Sequence, residues 1–206
     1  PEDSPMAEDA RLLVSETMRC RDILAELAVK PREDPGSLFS QLPMGVVVQE
    51  ATRVHEEPGV KILFETGPEL DAPASKTPMM RPSAEFNHGL GSLIQNAVQF
   101  ARFQVTVTTR WSDAAVSVTV ADDGPGFPPS VLERLGEPYL SVRTEKGEHM
   151  GLGIFISQTL LQRTHGTLRF WNLPAGGAEV SVVWRRQDLE GRSGPAELAE
   201  IEGIDR

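Results

Sequence analysis

The sequence predicts an α+β fold, in which helices and a β-sheet form a two-layer α/β sandwich. Amphipathic helical segments and short strand-like runs are mixed throughout residues 42–187. Several of the strand-like runs follow each other closely enough to form antiparallel hairpins. The 206 residues of the chain are enough for one domain of about 150 residues and an additional segment.

Residues 4–29 are predicted to form one long helix that packs against partners outside itself. Ser4 and Pro5 provide a capping residue followed by proline at the first helical position. Small and apolar residues then recur at spacings of four and three, which is the pattern of a coiled-coil or helical-bundle seam: Met6, Ala10, Leu13, Thr17, Cys20, Leu24 and Leu27. Because a lone helix of this length is marginal in water, we expect residues 1–30 to pack against partners outside this segment, in a coiled coil or a helical bundle. Residues 31–41, which open with the stretch PREDP, are predicted to be a linker.

Hydrophobic periodicity predicts the elements of residues 42–187, since helical spacing indicates helices and strict alternation indicates strands. In chain order we predict a helix over Met44–His55, a strand over Val60–Glu65, a loop over Gly67–Pro78, a helix over Ser83–Phe103, strands over Val105–Trp111 and Ala115–Ala121, a short helix over Ser130–Leu135, a helix over Gly151–His165, and strands over Thr167–Asn172 and Glu179–Trp184. The polar segment 141–149 carries no clear period. Residues 188–206 are predicted to form a polar, acidic tail.

The composition limits the possible partners and compartments. The net charge is −10 and the pI about 4.9, which argues against a wide nucleic-acid-binding surface because phosphates would be repelled. The single cysteine, Cys20, rules out an internal disulfide framework and favours a reducing compartment. No apolar run approaches the length of a membrane span. We expect the chain, which begins with proline, to be a fragment or processed form of a longer protein.

The stretch DDGPG, residues 122–126, ends a strand-like run with two acids and two glycines on alternate positions. A carboxylate at a strand end can accept a hydrogen bond from an exocyclic amine, and glycines let a flat ring lie against the backbone. Two alternatives are an acidic turn and a general acid–base pair formed by Asp122 and Asp123. The pair is disfavoured because neighbouring residues of a strand point to opposite faces.

Two further motifs indicate a metal ion and phosphates. Asn96 lies in the predicted helix Ser83–Phe103, within a row of small and polar residues, where its amide oxygen could ligate a hard cation such as Mg²⁺. A solvated or hydrogen-bonded asparagine is the alternative interpretation. Gly151–Gly153 (GLG) stands where a polar segment enters an amphipathic helix, so free N–H groups and the helix dipole would attract phosphate there.

The order of these motifs resembles the ATP-binding domain of sensor histidine kinases, the Bergerat or GHKL ATP-binding fold. Ser92–Ala97 (SLIQNA) is similar to the asparagine box of that family, and Asp122–Gly126 matches its DxGxG motif. Gly136–Tyr139 (GEPY) resembles the phenylalanine-box segment, and Met150–Ile154 (MGLGI) resembles the second glycine box. The resemblance spans about residues 42–186. The stretches RCRDIL, GEPYLSVR and MGLGIFISQTLLQRT are similar to the RegB/PrrB type of redox-responding sensor kinase from proteobacteria.

The resemblance implies that the chain binds ATP and Mg²⁺. Asp122 would recognise the adenine amine, and Asn96 would hold Mg²⁺ against the phosphates. Gly124 and Gly126 would admit the adenine. The remaining ATP-binding residues would be Gln99, Phe100, Phe127, Gly151, Leu152 and Gly153, together with Arg143 and Lys146 of a mobile lid that spans Ser141–Met150.

The resemblance also implies partners for a longer parent protein. The helix over residues 4–29 would be the second helix of a dimerisation four-helix bundle, which makes the parent a homodimer. None of the four histidines lies in an H-E-x-x-P-like context, so we expect this chain to bind ATP without phosphorylating itself. The parent would pass a phosphoryl group to the receiver domain of a response regulator. It would sit on the cytoplasmic side of a bacterial inner membrane, anchored by a missing N-terminal part, whereas the chain itself would be soluble.

The chain departs from the family pattern at four positions. Ser92 stands where the family usually has asparagine, Gln99 where a lysine is frequent, Gly136 where phenylalanine is usual, and His149 where glycine is usual. These departures keep two alternatives open. One is a dimerisation and scaffold module that does not respond to nucleotide, and the other is an ATPase or serine kinase of another GHKL family.

Cys20 has two interpretations. Its place in the helical seam fits a small core residue. The resemblance implies instead a thiol whose oxidation links dimers or alters the bundle, and the flanking Arg19 and Arg21 would favour its reactive thiolate form if their side chains come close.

We predict that mild oxidation of the chain produces a cross-linked dimer, visible as a band of doubled mass on a non-reducing gel. The Cys20→Ala variant should give no such band, because Cys20 carries the only thiol of the chain. A variant that still formed the band would contradict the redox interpretation.

Overall fold

The computed structural model of the chain describes residues 41–53, 58–132 and 151–191. Several predicted features lie outside these residues. They are the helix over residues 4–29 with Cys20, the linker, the segment from Glu133 to Met150 with Arg143 and Lys146, and the tail beyond Gly191.

The structure contains a five-stranded mixed sheet and one short two-stranded pairing. The strands are β1 (Leu42–Pro43), β2 (Lys61–Pro68), β3 (Met79–Met80), β4 (Gln104–Trp111), β5 (Ala115–Asp122), β6 (Thr167–Asn172) and β7 (Ala178–Arg185). In the large sheet the order is β2-β4-β5-β7-β6. β2 runs parallel to β4, and the other neighbours are antiparallel. β1 pairs only with β3 among the described strands.

Of the five described helices, the three longest pack together over this sheet. The five helices are α1 (Met44–Thr52), α2 (Ala84–Phe100), α3 (Pro129–Leu132), α4 (Gly151–Arg163) and α5 (Arg186–Leu189). α2 is central, since α1 and α4 both pack against it and it also contacts β4 and β5. It begins at a cap in which the Ser83 hydroxyl accepts a hydrogen bond from the Phe86 N–H at 3.1 Å. No helix in the described part of the chain is both long and apolar enough to cross a bilayer.

Alternation along the strands separates the core from the open face of the sheet. In β5, Val116, Val118, Val120 and Asp122 are buried, and the residues between them are partly exposed. The buried side chains face the helices, where the Phe86 and Trp184 rings lie 5.5 Å apart between centroids and join α2 to β7. Burying each such side chain contributes about 1.5–3 kcal/mol. The same pleat places Asp122 as the last inward-facing residue of β5.

The α+β class and the two-layer arrangement are as predicted. The boundaries differ at several elements. The helix predicted over Ser83–Phe103 ends at Phe100, and α5 (Arg186–Leu189) includes the first two residues of the predicted polar tail. β2 extends to Pro68, into the segment predicted as loop, because it pairs with β4 along its whole length. Periodicity alone did not indicate this parallel pairing.

Asp123 explains why α2 stops where it does. Its Oδ1 accepts hydrogen bonds from the backbone N–H groups of Arg102, Phe103 and Gln104, at 2.8, 3.1 and 3.2 Å, so it holds the turn from α2 into β4. Burial alone would raise the pKa of this carboxyl, but the backbone donors at Phe103, Gln104 and Arg102 outweigh it. The pKa of Asp123 therefore lies below its ordinary value of 3.8.

We predict that Asp123→Asn lowers the free energy of unfolding by about 1 kcal/mol at pH 7, since a neutral amide accepts these hydrogen bonds less strongly. A depressed native pKa contributes stability that is present above the unfolded pKa and is lost as the pH falls through the native pKa. The difference between variant and wild type should therefore shrink below about pH 4.

Urea unfolding at a series of pH values measures this difference, with Asp71→Asn as the control. Asp71 lies exposed in a turn and has no hydrogen bond to the rest of the described chain. A loss in Asp123→Asn that stays constant with pH would show that the carboxylate charge is not what holds the turn.

Candidate functional site

A pocket opens at the end of the sheet where β5 finishes and β7 begins. Its volume is about 440 Å³ with its open mouth included, and it lies between the sheet and helices α2 and α4. Apolar side chains make up most of its walls: Leu93, Ala97, Phe100, Val120, Phe127, Ile154, Ala178 and Val180. Gly126 also lines it, and Asp122 and Asn96 are its two polar side chains. Largely apolar walls with a few polar side chains are typical of small-molecule sites.

Asp122 is the buried carboxylate of this pocket, with 8% of its surface exposed. Its Oδ1 accepts hydrogen bonds from the Gly124 N–H at 2.8 Å and the Ala178 N–H at 3.3 Å. Among the described residues, Oδ2 accepts no hydrogen bond. The carboxylate is thus fixed by one oxygen and offers the other to a donor on a ligand.

The environment of Asp122 also changes its pKa. Burial raises the pKa above the ordinary value of 3.8, the hydrogen bonds from Gly124 and Ala178 lower it, and the nearby charge of Asp123 raises it further. The net direction is upward. A buried carboxylate that has lost part of its hydration forms a stronger hydrogen bond with a ligand donor than an exposed carboxylate does.

Asn96 lines the pocket from α2, beside the first turn of α4. Its Nδ2 is buried and donates no hydrogen bond within the described chain. Gly153 leaves room for this amide, because a Cβ at position 153 would lie 3.1 Å from Nδ2 and 3.2 Å from Oδ1. The Ser92 hydroxyl donates to the Gly153 carbonyl at 3.3 Å and links the two helices at this point.

These residues fit a magnesium ion only when other groups complete its ligands. In the described ranges no three His, Cys, Asp or Glu side chains lie close enough together to hold a metal. Asn96 and Asp122 are the two polar side chains of the pocket, and with Asp122 assigned to a ligand donor, the amide oxygen of Asn96 is the candidate ligand for the ion. Mg²⁺ usually keeps several waters and binds one or two protein oxygens together with substrate phosphates, which agrees with this donor set.

The glycines of the DDGPG stretch pack closely against the protein itself. A Cβ at Gly124 would overlap the Phe100 carbonyl oxygen, and it would lie 2.8 Å from Asp122 Oδ1. Gly126 has a φ of +80° and would place a Cβ 2.8 Å from Asn172 Oδ1. The close approach that the two glycines indicated is thus at least partly an approach of the chain to itself.

The turn between β6 and β7, which contains Gly176 and Gly177, belongs to the site, although the sequence predicted only the two strands that flank it. Gly177 has a φ of +97°, and a Cβ there would overlap the Asp122 carbonyl oxygen. The next residue, Ala178, donates to the Asp122 carboxylate. The double glycine was the signal, but nothing in the sequence showed which strand the turn would meet.

The structure brings five of the predicted ATP-binding residues together as pocket walls: Asn96, Phe100, Asp122, Gly126 and Phe127. The Gly124 N–H donates to the Asp122 carboxylate, and Gly153 leaves room for the Asn96 amide. Gln99 lies on α2 but does not line the pocket. Gly151 and Leu152 form the start of α4, as the motif predicted.

The two neighbouring acids do not share a site. Asp122 lines the pocket, whereas both oxygens of Asp123 accept hydrogen bonds from the turn after α2. A general acid–base pair of these carboxylates is therefore not what the structure contains. The apolar walls Leu93, Ala97, Val120, Ile154 and Val180 were predicted as parts of elements but not as parts of a site.

Comparison with known proteins identifies the family. The family model of histidine kinase-, DNA gyrase B- and HSP90-like ATPases matches residues 83–188 of the 206. The sensor histidine kinase RegB of Cereibacter sphaeroides is 33% identical over 202 residues, which cover 89% of this chain and 43% of that protein. A putative sensor histidine kinase, NtrY-like, of Rickettsia bellii is 23% identical over 186 residues, which cover 87% of this chain and 29% of that protein. The chain thus spans less than half the length of these curated relatives.

Solved structures agree on the fold. The mycobacterial sensor histidine kinase MprB superposes with a TM-score of 0.55 at 17% identity, over 71% of this chain and 97% of that one. The catalytic domain of the histidine kinase ThkA superposes with a TM-score of 0.57 at 17% identity, over 71% and 96% of the two chains. Together with the match to RegB, these findings confirm the resemblance read from the motifs. The chain belongs to the histidine kinase-, DNA gyrase B- and HSP90-like ATPase family.

Proposed function

We propose that this chain is the Mg-ATP-binding catalytic part of a sensor histidine kinase. The observation that carries the proposal is the buried Asp122 carboxylate, held by two backbone N–H groups at one side of an apolar pocket. The amide of Asn96 lines the same pocket. The longer parent would move the γ-phosphoryl group of ATP to one of its own histidines, and then to an aspartate of a response regulator.

Adenine recognition would rest on Asp122 and the apolar walls. The exocyclic amine of adenine would donate to the carboxylate, whose orientation is already fixed by Gly124 and Ala178. The flat ring would be covered by Val120, Val180 and the other apolar side chains of the pocket. Burying the ring in this way also excludes the water that would otherwise compete for the carboxylate.

Phosphate binding would rest on the start of α4 and on Asn96. The N–H groups of Gly151, Leu152 and Gly153 lie in the first turn of the helix, where they and the helix dipole favour an anion. Asn96 would hold Mg²⁺ with its Oδ1, and the ion would neutralise charge on the transferring phosphate. Gln99, Arg143 and Lys146 remain candidate phosphate contacts on the basis of the family pattern.

The wider roles are part of the same proposal. The similarity to sensor histidine kinases supports a homodimeric parent, a receiver domain as phosphoryl acceptor and a membrane anchor outside this chain. Any redox response of this chain would depend on the oxidation of Cys20. The scaffold alternative gains little from the pocket, because a module without a ligand has no need of a buried carboxylate with an uncommitted oxygen.

We predict that Asp122→Asn weakens the binding of a non-hydrolysable Mg-ATP analogue by about 10- to 100-fold, the range expected for losing a hydrogen bond to a charged group. Titration calorimetry at pH 7 measures the affinity. The matched control is Asp123→Asn, the adjacent carboxylate, which should bind the analogue within about twofold of wild type while losing stability.

Asp122→Asn, in contrast to Asp123→Asn, should not lower the free energy of unfolding at pH 7. Burial raises the pKa of Asp122, so the folded chain binds a proton more readily than the unfolded chain, and an ionised Asp122 opposes folding at neutral pH. The contribution of Asp122 to wild-type stability should become less unfavourable as the pH falls through the native pKa of this group, and Asp122→Asn should lack that part of the pH dependence. Analogue binding unaffected by Asp122→Asn would refute the adenine assignment, and a wild type without any binding would favour the scaffold.

A further inference from the structure

Asn172, the last residue of β6, makes two hydrogen bonds to one residue far away in the sequence. Its Oδ1 accepts from the Phe127 N–H at 2.7 Å, and its Nδ2 donates to the Phe127 carbonyl oxygen at 2.8 Å. The two residues are 45 positions apart. Among the described residues, no other hydrogen bond holds Phe127 or Gly126. The carboxamide of Asn172 is thus the polar attachment of this part of the loop to the sheet.

Phe127 is a wall of the pocket, and Asn172 fixes where that wall stands. The Phe127 side chain lines the pocket and only 7% of the residue is exposed. Its ring meets the ring of Phe170, two residues before Asn172 on β6, at 6.2 Å and 83°, an edge-to-face contact. β6 therefore holds Phe127 twice, by the backbone through Asn172 and by the ring through Phe170.

The same carboxamide accounts for the second glycine of the DDGPG stretch. Any side chain at position 126 would place its Cβ 2.8 Å from Asn172 Oδ1, and the φ of Gly126 is +80°. Glycine lets Asn172 reach over position 126 to the Phe127 backbone.

Asn172 is also coupled to Asp122 through the sheet. In the register of β6 and β7, Asn172 is the cross-strand partner of Ala178, whose N–H donates to Asp122 Oδ1. In this cross-strand pair, Ala178 binds the Asp122 carboxylate and Asn172 binds the Phe127 backbone. The distance between these two parts of the pocket is set by that pair.

We infer that Asn172 is a positioning residue for the base of the nucleotide: it keeps the Phe127 wall at a fixed separation from Asp122. The inference rests on the proposed function, since it assigns a role in the same pocket. Asn172 binds the Phe127 backbone and does not line the pocket, so it would act through Phe127. Its side chain is exposed, and replacing it opens no cavity in the core.

The test uses the full 206-residue chain and three ligands: a non-hydrolysable Mg-ATP analogue, Mg-ADP and Mg-tripolyphosphate. Asn172→Ala removes both hydrogen bonds, and Asn172→Asp keeps an acceptor for the Phe127 N–H but turns a second carboxylate oxygen toward the Phe127 carbonyl. We expect both variants to bind the ATP analogue and ADP about 5- to 20-fold more weakly, by the same factor for each ligand. Binding of tripolyphosphate should not change, because the wall contacts the base and not the phosphates.

Two further measurements separate positioning from a loss of fold. Thermal unfolding should shift by no more than about 2 °C in either variant, since the side chain lies on the surface. The rate of amide hydrogen exchange at Phe127 should rise without any nucleotide present.

Gln104→Ala is the matched control, because Gln104 is exposed on β4 of the same sheet and its side chain donates to Thr106 Oγ1, away from the pocket walls. It should leave all of these values unchanged.

The outcomes distinguish the inference from the proposed function. Wild-type chain that binds no nucleotide would remove both. Wild type that binds, with Asn172→Ala binding equally well, would remove only the role of Asn172, whether or not exchange at Phe127 had increased. Equal losses for tripolyphosphate and for the nucleotides would also overturn it, since they would indicate a general loosening of the site.

Discussion

The contact on which the rest of the site depends is that of the Asp122 carboxylate with two backbone N–H groups. One donor comes from Gly124, two residues ahead, and the other from Ala178, 56 residues ahead. A carboxylate placed against apolar walls loses hydration, which is unfavourable for its ionised form. The two donors replace part of that hydration and fix the side chain in one orientation. The loop after β5 and the hairpin of β6 and β7 must both be in place for this to happen.

The glycines around this contact allow several pieces of backbone to meet in a small volume. Gly124 lies against the end of α2, Gly126 lies under the carboxamide of Asn172, and Gly177 lies against the Asp122 backbone. A side chain at any of these positions would separate two segments that together hold Asp122 or Phe127. The conformational entropy that glycine loses on folding is thus offset by contacts that other residues could not make. In this chain the glycines build the pocket before any ligand enters it.

Two adjacent acids carry opposite roles because the strand is pleated. Asp122 faces the helices, is buried and has a raised pKa, whereas Asp123 binds the turn after α2 and has a lowered pKa. The ionised Asp122 carboxylate lowers the free energy of unfolding at neutral pH, and one of its oxygens is available to a ligand. The Asp123 carboxylate contributes stability and is fully occupied by the backbone. A functional group and the group that supports its surroundings thus stand next to each other in the sequence, with no shared ligand.

The sequence by itself determined the type of each long element and the order of the motifs. Alternation along β5 and the helical spacing along α2 follow from one-sided burial, which leaves a direct mark on the pattern of residues. The motif order, with Asn96, Asp122 and Gly153 at its centre, was sufficient to indicate the family. Tertiary structure alone decided which elements cover each other: the parallel pairing of β2 with β4, the insertion of β7 between β5 and β6, and the contact of Asn172 with Phe127. The physical reason is that periodicity reports which face of an element is buried but not which partner buries it, and a register spanning tens of residues is set only when the sheet assembles.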